Sequence, residues 1–252
     1  MPRTSRGWEI TAAELKAWTL FEDERVLVLD KPGLVVCHPS KFGPWSSLAG
    51  ACREYLGLDR VHLPVRLDRE TSGVVVVCKD RTTGVQLHTA MSNRTVRKTY
   101  LAILKGTLSG GLLVNAPLGR EVGGVYTTRQ AVLAQGGREA VTEFTPLSHG
   151  GGFTLVRVTP QTGRMHQIRV HAAHAGYPVL GDKLYSCDPA LMLKFIESGF
   201  TAELKRELLI ERQALHAAEL VFCLEDGEIG YRAPLAADLI QFCDSMNIRC
   251  ET

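Results

Sequence analysis

Several features that would place this chain in a particular class of protein are missing from its 252 residues. Its apolar runs are far shorter than the ~20 residues that a transmembrane helix needs, so we expect no membrane span. Residues 1–8 carry basic side chains but no apolar stretch, so we expect no export signal and a cytoplasmic location. The formal net charge is only +2, which is too small to indicate a nucleic-acid partner by itself.

Paired cysteines are missing as well. The chain has seven cysteines, an odd number, and no two of them form a Cys-x-x-Cys pair. Several lie within apolar runs, where cysteine behaves as a small hydrophobic residue. The sequence therefore predicts reduced thiols and no zinc site.

What is present indicates an ordered globular chain, since 45% of the residues are hydrophobic and 22% are charged. Strands occur in runs with helices between some of them, and there is no internal repeat, low-complexity tract or linker. This pattern favours one α+β domain with a mixed, largely antiparallel central sheet flanked by helices and loops. We predict strands at residues 26–29, 34–37, 73–78, 100–104, 153–159 and 217–224, further strands between 112 and 147, and helices at 46–56, 82–91, 164–175, 201–215 and 234–246.

Glycine and proline predict the turns of this fold. Pro32-Gly33 separates the apolar runs 26–29 and 34–37, which predicts a β-hairpin. The pairs Gly123-Gly124 and Gly136-Gly137 predict hairpin turns within the strand-rich region. Residues 150–152 are all glycine, but no Lys-Ser/Thr follows them, so we interpret them as a turn and not as a phosphate loop.

The most informative stretch is residues 65–73, Val-Arg-Leu-Asp-Arg-Glu-Thr-Ser-Gly, which leads into a run of valines. Asp68 stands between Arg66 and Arg69, just ahead of a predicted buried strand. If the chain is extended, Arg66 and Asp68 point to the same face, and the guanidinium would keep the carboxylate ionised. An ionised, oriented aspartate could serve as a nucleophile or general base. The alternative is that this Arg-x-Asp pair only ties a loop down.

The whole string resembles the signature of the RluA-type pseudouridine synthases, whose catalytic aspartate matches Asp68. Further matches follow in family order and together span residues 26–238. They are Asp30-Lys31-Pro32-Gly33-Leu34-Val35-Val36, Lys98-Thr99-Tyr100-Leu101-Ala102, residues 162–171 (Thr-Gly-Arg-Met-His-Gln-Ile-Arg-Val-His), Gly181-Asp182-Lys183-Leu184-Tyr185 and Arg212-Gln213-Ala214-Leu215-His216-Ala217.

The resemblance implies an RNA pseudouridine synthase that needs no cofactor and no metal. It implies three catalytic residues: Asp68 would attack C1′ of the sugar or remove a proton from C2′, Arg164 would pair with Asp68, and Tyr100 would stack on the base. Arg66 would enter the space left by the flipped base, and Ile168 would form an apolar wall of the pocket. Taken alone, Tyr100 could equally be a core aromatic and Arg164 a helix-start residue facing solvent.

Other basic residues are candidates for contacts with RNA, although each could equally be plain surface. Arg69, His166 and Arg169 belong to the matched motifs and are expected to bind substrate RNA. Phosphate contacts are also predicted for Arg94, Arg97, Lys98 and Arg157.

Two positions depart from the family pattern. Val65 stands where the family usually has histidine, and Met165 stands where threonine or serine is common. We interpret both as changes in RNA contact or packing.

Some of these residues could also belong to a metal site or to the carboxylate pair of a glycosidase. His166, His171 and His174 do not share one helical face, which disfavours a metal site. Asp68 with Glu70 could form the carboxylate pair of a glycosidase, but the flanking arginines favour two ionised carboxylates. The alternatives to the synthase are thus a non-catalytic RNA-binding module and a carboxylate-based N-glycoside hydrolase.

The expected organisation is an extension at residues 1–25 followed by a catalytic domain at 26–246. The first 25 residues are too short for the S4 RNA-binding domain that many relatives carry, so we expect none. We expect ribosomal or transfer RNA as the partner, no obligatory protein partner, and a monomer.

Overall fold

A computed structural model describes residues 9–38, 42–123, 126, 128–186 and 189–250. The expectations for residues 1–8 and for Gly124 therefore lie outside the described residues. The strands are β1 Thr19–Glu22, β2 Val26–Lys31, β3 Ser72–Cys78, β4 Val96–Lys105, β5 Leu112–Asn115, β6 Leu118–Arg120, β7 Gln130–Val132, β8 Val141–Gly150, β9 Phe153–Pro160, β10 Leu215–Leu224 and β11 Gly227–Arg232. The helices are α1 Ala12–Trp18, α2 Leu48–Leu56, α3 Arg81–Ser92, α4 Gln167–His174, α5 Pro189–Ser198, α6 Ala202–Leu208 and α7 Ala237–Ser245.

The predicted α+β class with a mixed, largely antiparallel sheet is confirmed. The chain forms two compact units, Met1–Lys98 with His216–Ala236 and Thr99–Leu215 with Ala237–Thr252. The boundaries of the catalytic domain at residues 26 and 246 stay a prediction. No helix of the described residues is long and apolar enough to span a bilayer.

The strands of the first unit follow the order β1-β2-β3-β10-β11. All pairs are antiparallel except β3 with β10, which run parallel at the register of Ser72 with His216 and Gly73 with Ala217. All seven residues of β3 are buried. The run of valines after Asp68 therefore forms a central strand, as predicted from its β-branched side chains.

Gly73 is required by the pairing of β3 with β10. Its φ is +110°, and a Cβ at this position would lie 2.2 Å from the main-chain oxygen of Ala217. Any other residue would combine backbone strain with a clash against a strand backbone. The glycine of the motif is thus explained by packing.

Side-chain caps set the bounds of the first helices. Thr11 and Glu14 form a capping box at the start of α1. Ser47 caps α2 by accepting from the N–H of Gly50, and Gly57 ends this helix in the left-handed conformation. Helix α1 and strand β1 lie within residues 9–25, where only an extension without defined elements was expected.

The predicted strand at residues 34–37 is wrong. Leu34 has a φ of +72°, so the chain leaves the extended conformation directly after the Pro-Gly turn. The main-chain oxygens of Val36 and Cys37 accept from the N–H groups of Leu48 and Ala49 at 2.8 and 3.1 Å. This segment therefore satisfies the first turn of α2 instead of pairing with β2.

The second unit has the antiparallel strand order β4-β9-β8-β5, with β4 entering it at Thr99, and a separate two-stranded sheet of β6 and β7. Phe144 and Leu155 are fully buried in the larger sheet. Helices α5 and α6 pack on each other around Phe195, Leu204 and Leu208. The strands predicted at 100–104 and 153–159 are confirmed.

Two predicted helices are shorter than expected, and some elements were not predicted. The helix expected at 164–175 begins at Gln167, because His166 has a φ of +56°. The helix expected at 201–215 ends at Leu208, because Leu209 has a φ of +66°. Helix α5 and strand β11 were not predicted.

Candidate active site

Asp68 lies in the loop that leads into β3, which we call the Asp68 loop (residues 66–71). The residue is half-buried, and its neighbours Arg66 and Arg69 are exposed. Leu67 is buried, and the N–H of Thr71 donates to the main-chain oxygen of Asp68 at 3.1 Å. The loop therefore presents charged side chains on one side while Leu67 anchors it to the core.

A buried lysine fixes the backbone of this loop. Lys31 has no exposed surface. Its Nζ donates to the main-chain oxygens of Pro32 at 2.9 Å, Val35 at 2.9 Å and Arg69 at 3.2 Å. A buried ammonium group is costly unless its N–H groups find acceptors, and three carbonyls match its three donors. Because Arg69 directly follows Asp68, Lys31 holds the chain next to the carboxylate.

The thiol of Cys37 lies beneath the same loop. Burial raises the pKa of Cys37, and this outweighs the lowering by the Lys31 charge and by the main-chain N–H of Leu67. The group therefore stays a neutral thiol and packs as a small apolar side chain.

A buried hydrogen bond fixes the end of the motif. The hydroxyl of Ser72 lies 2.9 Å from Nδ1 of His216, and Nε2 of His216 lies 3.4 Å from the main-chain oxygen of Ala233. Because a carbonyl only accepts, the network assigns the ring proton to Nε2, and Ser72 donates to Nδ1. The Thr-Ser-Gly end of the motif and the histidine of the 212–217 block thus join β3 to β10.

In the second unit, Tyr100 lies on β4, opposite Val158 of β9, and is half-buried. A half-buried strand position lets one part of the ring pack while another part remains open to a ligand. Lys98 lies two residues earlier in β4 and therefore on the same face of the strand as Tyr100. Burial lowers the pKa of Lys98.

Arg164 lies in a turn before α4, which we call the Arg164 turn (residues 162–166). Its Nε donates to the main-chain oxygen of Glu139 at 2.9 Å. Its N–H donates to Oε1 of Gln167 at 2.9 Å, and the hydroxyl of Thr162 donates to the same oxygen at 2.7 Å. Arg164 is therefore held by hydrogen bonds from both its main-chain N–H and its guanidinium.

The other end of the Gln167 amide reaches a strand. Its Nε2 donates to the main-chain oxygen of Val141 and to the hydroxyl of Thr142, both at 2.9 Å. Gln167 is buried, so its amide is fully used in joining the turn to β8. This accounts for a glutamine at the start of α4.

His166 is half-buried and adopts the left-handed conformation at the end of the Arg164 turn. Its Nδ1 lies 2.7 Å from the hydroxyl oxygen of Tyr185, and the two rings meet edge to face with centroids 5.7 Å apart. The residue that was expected to bind RNA is therefore also tied to the 181–185 block.

Arg169, which was predicted to contact RNA, also has a structural role. It is 8% exposed and forms a bidentate pair with the fully buried Asp182, at 2.6 and 2.9 Å. Burial raises the pKa of Asp182, but the charge and hydrogen bonds of Arg169 and the N–H groups of Leu184 and Tyr185 lower it on balance. This ion pair would have to open before Arg169 could contact a phosphate, and the RNA contact of Arg169 stays a prediction.

The histidines of α4 are not arranged as metal ligands. His171 is fully buried, with Nδ1 at 2.8 Å from the Thr142 hydroxyl and Nε2 at 2.9 Å from the oxygen of Ala116. Both ring nitrogens are therefore engaged by the protein, and burial lowers the pKa of His171. Among the described residues no group of three or more His, Cys, Asp or Glu side chains could hold a metal ion.

The similarity of this chain to known proteins shows the family to which it belongs. A family model described as RNA pseudouridylate synthase matches residues 25–174, which include Asp68, Tyr100, Arg164 and Ile168. Ribosomal large subunit pseudouridine synthase D of Pseudomonas aeruginosa is 32% identical over 238 residues, covering 92% of this chain and 72% of that protein. The chain belongs to the RNA pseudouridylate synthase family.

A second relative agrees with this assignment, and a solved structure shows the same fold. RNA pseudouridine synthase YhcT of Bacillus subtilis, a protein described as uncharacterized, is 33% identical over 233 residues, covering 89% of this chain and 70% of that protein. The solved structure of human RNA pseudouridylate synthase domain containing 4 has a TM-score of 0.75 at 23% identity, covering 96% of this chain and 97% of that one. The predicted family and enzyme class are confirmed, and nothing favours the binding module or the hydrolase.

The predicted site residues of this pseudouridine synthase fall into two groups. Asp68, Arg66 and Arg69 lie together in the first unit, in one loop. The second unit holds Tyr100, Arg164, His166, Ile168 and Arg169, of which Ile168 is 6% exposed. The pairing of Asp68 with Arg164 joins residues of different units and stays a prediction, as does the pocket-wall role of Ile168.

The additional basic candidates differ in how they are engaged. Arg97 forms a bidentate pair with Glu228, with two distances of 2.7 Å. Arg94 and Arg157 are exposed, and Lys98 is half-buried. Arg97 would have to exchange a carboxylate for a phosphate, whereas exposure is compatible with a phosphate contact for Arg94 and Arg157.

Several residues that support the site were not assigned a role from sequence. They are Lys31, Gln167, Asp182 and Tyr185, and each belongs to one of the matched motifs. Their positions were thus marked by the family pattern. Their roles were not, because these depend on hydrogen bonds to residues far away along the chain.

Proposed function

We propose that this enzyme isomerises uridine to pseudouridine in large-subunit ribosomal RNA, with Asp68 as the group that starts the reaction. The Asp68 loop carries this proposal, because a half-buried aspartate flanked by arginines is held in a fixed backbone by Lys31. The RNA class comes from relatives such as ribosomal large subunit pseudouridine synthase D of Pseudomonas aeruginosa. Membership in the family supports the reaction type.

The proposed reaction breaks one glycosidic bond and forms another. Asp68 either attacks C1′ of the ribose or removes the proton on C2′, and the bond between N1 and C1′ breaks in both cases. The uracil then turns and C5 joins C1′; on the first route this breaks the bond between the Asp68 oxygen and C1′, and on the second route Asp68 returns the proton to C2′. The proton on C5 leaves at the end of the reaction, and N1 takes up a proton, so no oxidant, reductant or cofactor is consumed.

The second unit supplies the other proposed catalytic groups. Arg164 pairs with Asp68 and keeps its carboxylate ionised, and the anchoring of its Nε to Glu139 fixes the direction of the guanidinium. Tyr100 stacks on the uracil, which is worth roughly 1–3 kcal/mol per base and helps to offset the cost of flipping the nucleotide. Ile168 forms an apolar wall beside it.

Exposed cations of the first unit are the proposed contacts with the RNA itself. Arg66 enters the space that the flipped base leaves, and Arg69 contacts a phosphate. In the second unit His166 faces the same RNA from the end of the Arg164 turn. Because these contacts are electrostatic in part, the affinity for RNA falls as the salt concentration rises.

The choice of RNA is tested with the purified enzyme and three substrates that carry tritium at C5 of uridine. We expect tritium release from transcripts of large-subunit ribosomal RNA, with pseudouridine as the product and no free uracil. Release from transfer RNA alone would contradict the proposed substrate. Free uracil, from any RNA including a small-subunit control, would instead indicate a hydrolase.

We further propose that the chain acts as a monomer in the cytoplasm, without an obligatory protein partner. Light scattering coupled to gel filtration should give a mass near 27.7 kDa for the active species. Activity that is confined to a larger species would contradict this.

A further inference from the structure

The hydroxyl of Tyr185 joins two segments of the second unit. It lies 2.7 Å from Nδ1 of His166 and accepts from the N–H of Gln130, the first residue of β7, at 2.9 Å. Because the amide only donates, the hydroxyl proton of Tyr185 is not used in the bond with Gln130 and is available to Nδ1 of His166. Burial raises the pKa of Tyr185 to about 12, so this proton is present throughout the physiological range.

The ring of Tyr185 is also in contact with other side chains. The guanidinium carbons of Arg129 and Arg169 lie 5.4 and 5.0 Å from its centroid. Arg169 is fixed by Asp182, and the same carboxylate accepts from the N–H of Tyr185 at 3.2 Å. These contacts fix Tyr185 between α4 and β7. The rings of Tyr185 and His166 meet edge to face.

His166 occupies a conformation that needs an explanation. It has a φ of +56° and provides no side-chain cap to α4. A residue with a side chain is strained in this region, where glycine or asparagine is the usual choice. The conformation aims the imidazole at Tyr185, and it is adopted two residues after Arg164.

We propose that Tyr185 is a positioning residue for the pseudouridylation reaction, which acts through His166 to hold the Arg164 turn against the start of β7. This inference rests on the proposed function, because it takes Arg164 as a catalytic group. Arg164 is already held by hydrogen bonds to Glu139 and Gln167, and Tyr185 supplies a separate attachment of the turn, toward β7.

The first test is Tyr185→Phe, which removes the hydroxyl and keeps the ring between its two arginines. We expect kcat to fall about 10- to 100-fold, since a small misplacement of a catalytic group has effects of this size. KM for the RNA should change less than kcat. Tyr177→Phe is the matched control in the same unit, where the tyrosine lies beside Gly106, and it should leave kcat unchanged.

A double-mutant cycle separates positioning from a merely structural role. His166→Asn keeps a residue that tolerates positive φ and removes the imidazole. If Tyr185 acts through His166, then Tyr185→Phe has no further effect on kcat in the His166→Asn background. Additive losses of kcat, or a lower melting temperature with an unchanged kcat in Tyr185→Phe, would overturn the proposal.

The failure of this inference and the failure of the proposed function are distinguishable. An unchanged kcat in Tyr185→Phe, together with an inactive Asp68→Asn, rejects only the positioning role of Tyr185. An active Asp68→Asn rejects the proposed catalytic group, whatever the outcome at Tyr185.

Discussion

The Asp68 loop and the Arg164 turn carry the central residues of the proposed site, and they are held in different ways. In the Asp68 loop, the buried ammonium group of Lys31 donates hydrogen bonds to main-chain oxygens, including that of Arg69. In the Arg164 turn, side chains from several elements form the hydrogen bonds. Gln167 accepts from the N–H of Arg164, and Tyr185 bonds to His166 at the end of the turn. In the first arrangement the side-chain hydrogen bonds come mainly from one residue, and in the second they are distributed over a network.

This difference predicts how each region responds to substitution. Loss of Lys31 should disturb the Asp68 loop as a whole, because no second residue replaces three hydrogen bonds at once. Loss of one member of the network around the Arg164 turn should leave the others in place. An exception is expected where the member carries a buried charge, because its partner then remains unpaired.

The largest effect on stability is expected for Arg169→Met. This substitution leaves the carboxylate of Asp182 buried without its cation, and removal of one partner of a buried pair typically costs roughly 3–5 kcal/mol of unfolding free energy. Denaturant unfolding measures the loss. Arg97→Met is the matched control, because it also breaks a bidentate pair, but one with side-chain exposures of 60% and 56%. It should leave the unfolding midpoint unchanged. A stable Arg169→Met protein with weakened RNA binding would contradict the structural role and support the RNA contact predicted for this residue.

A smaller loss of stability, together with a loss of activity, is expected for Lys31→Met. The methionine fills a similar volume, but the oxygens of Pro32, Val35 and Arg69 lose their donor, at a cost of about 1–3 kcal/mol. The rate of pseudouridine formation should fall as well, because the backbone after Asp68 is released. Lys194→Met is the control, since it removes an exposed lysine paired with Glu203. Full activity of Lys31→Met would show that the loop is held by other contacts.

Much of this architecture was predictable from sequence. The run of valines after Gly73 indicated a central buried strand, and Gly57 marked the end of α2. Where prediction failed, a contact from elsewhere in the chain decided the structure. Residues 34–37 look like a strand by their side chains, but the carbonyls of Val36 and Cys37 accept hydrogen bonds from the first turn of α2.

The same distinction applies to the candidate site. The motifs mark Asp68, Arg164 and their neighbours as candidates, and their roles stay predictions. They did not separate the surface cation Arg69 from the buried cation Arg169, because both are arginines next to motif residues. Only the position of Asp182, which follows Arg169 by 13 residues in sequence, shows the difference.

The smallest effect is a dependence of stability on pH that arises from His171. Burial lowers the pKa of His171 in the folded state, so the unfolded chain binds its proton more readily. The contribution to stability is therefore complete above the ordinary histidine pKa of about 6.5 and is lost as the pH falls below it, by at most about 1.4 kcal/mol per pH unit. Unfolding free energies at pH 8 and pH 5.5 measure it. His171→Gln should reduce the difference between the two values, and an unchanged difference would assign it to other histidines.

The most direct test of the central claim is tritium release from RNA that is labelled at C5 of uridine, measured for Asp68→Asn beside Asp226→Asn. Asparagine keeps the size of the side chain and removes its charge and nucleophilicity, and Asp226 is an exposed aspartate outside the site. We predict no release above background for Asp68→Asn and a wild-type rate for Asp226→Asn, with both proteins folded. Release by Asp68→Asn at the wild-type rate would contradict the account.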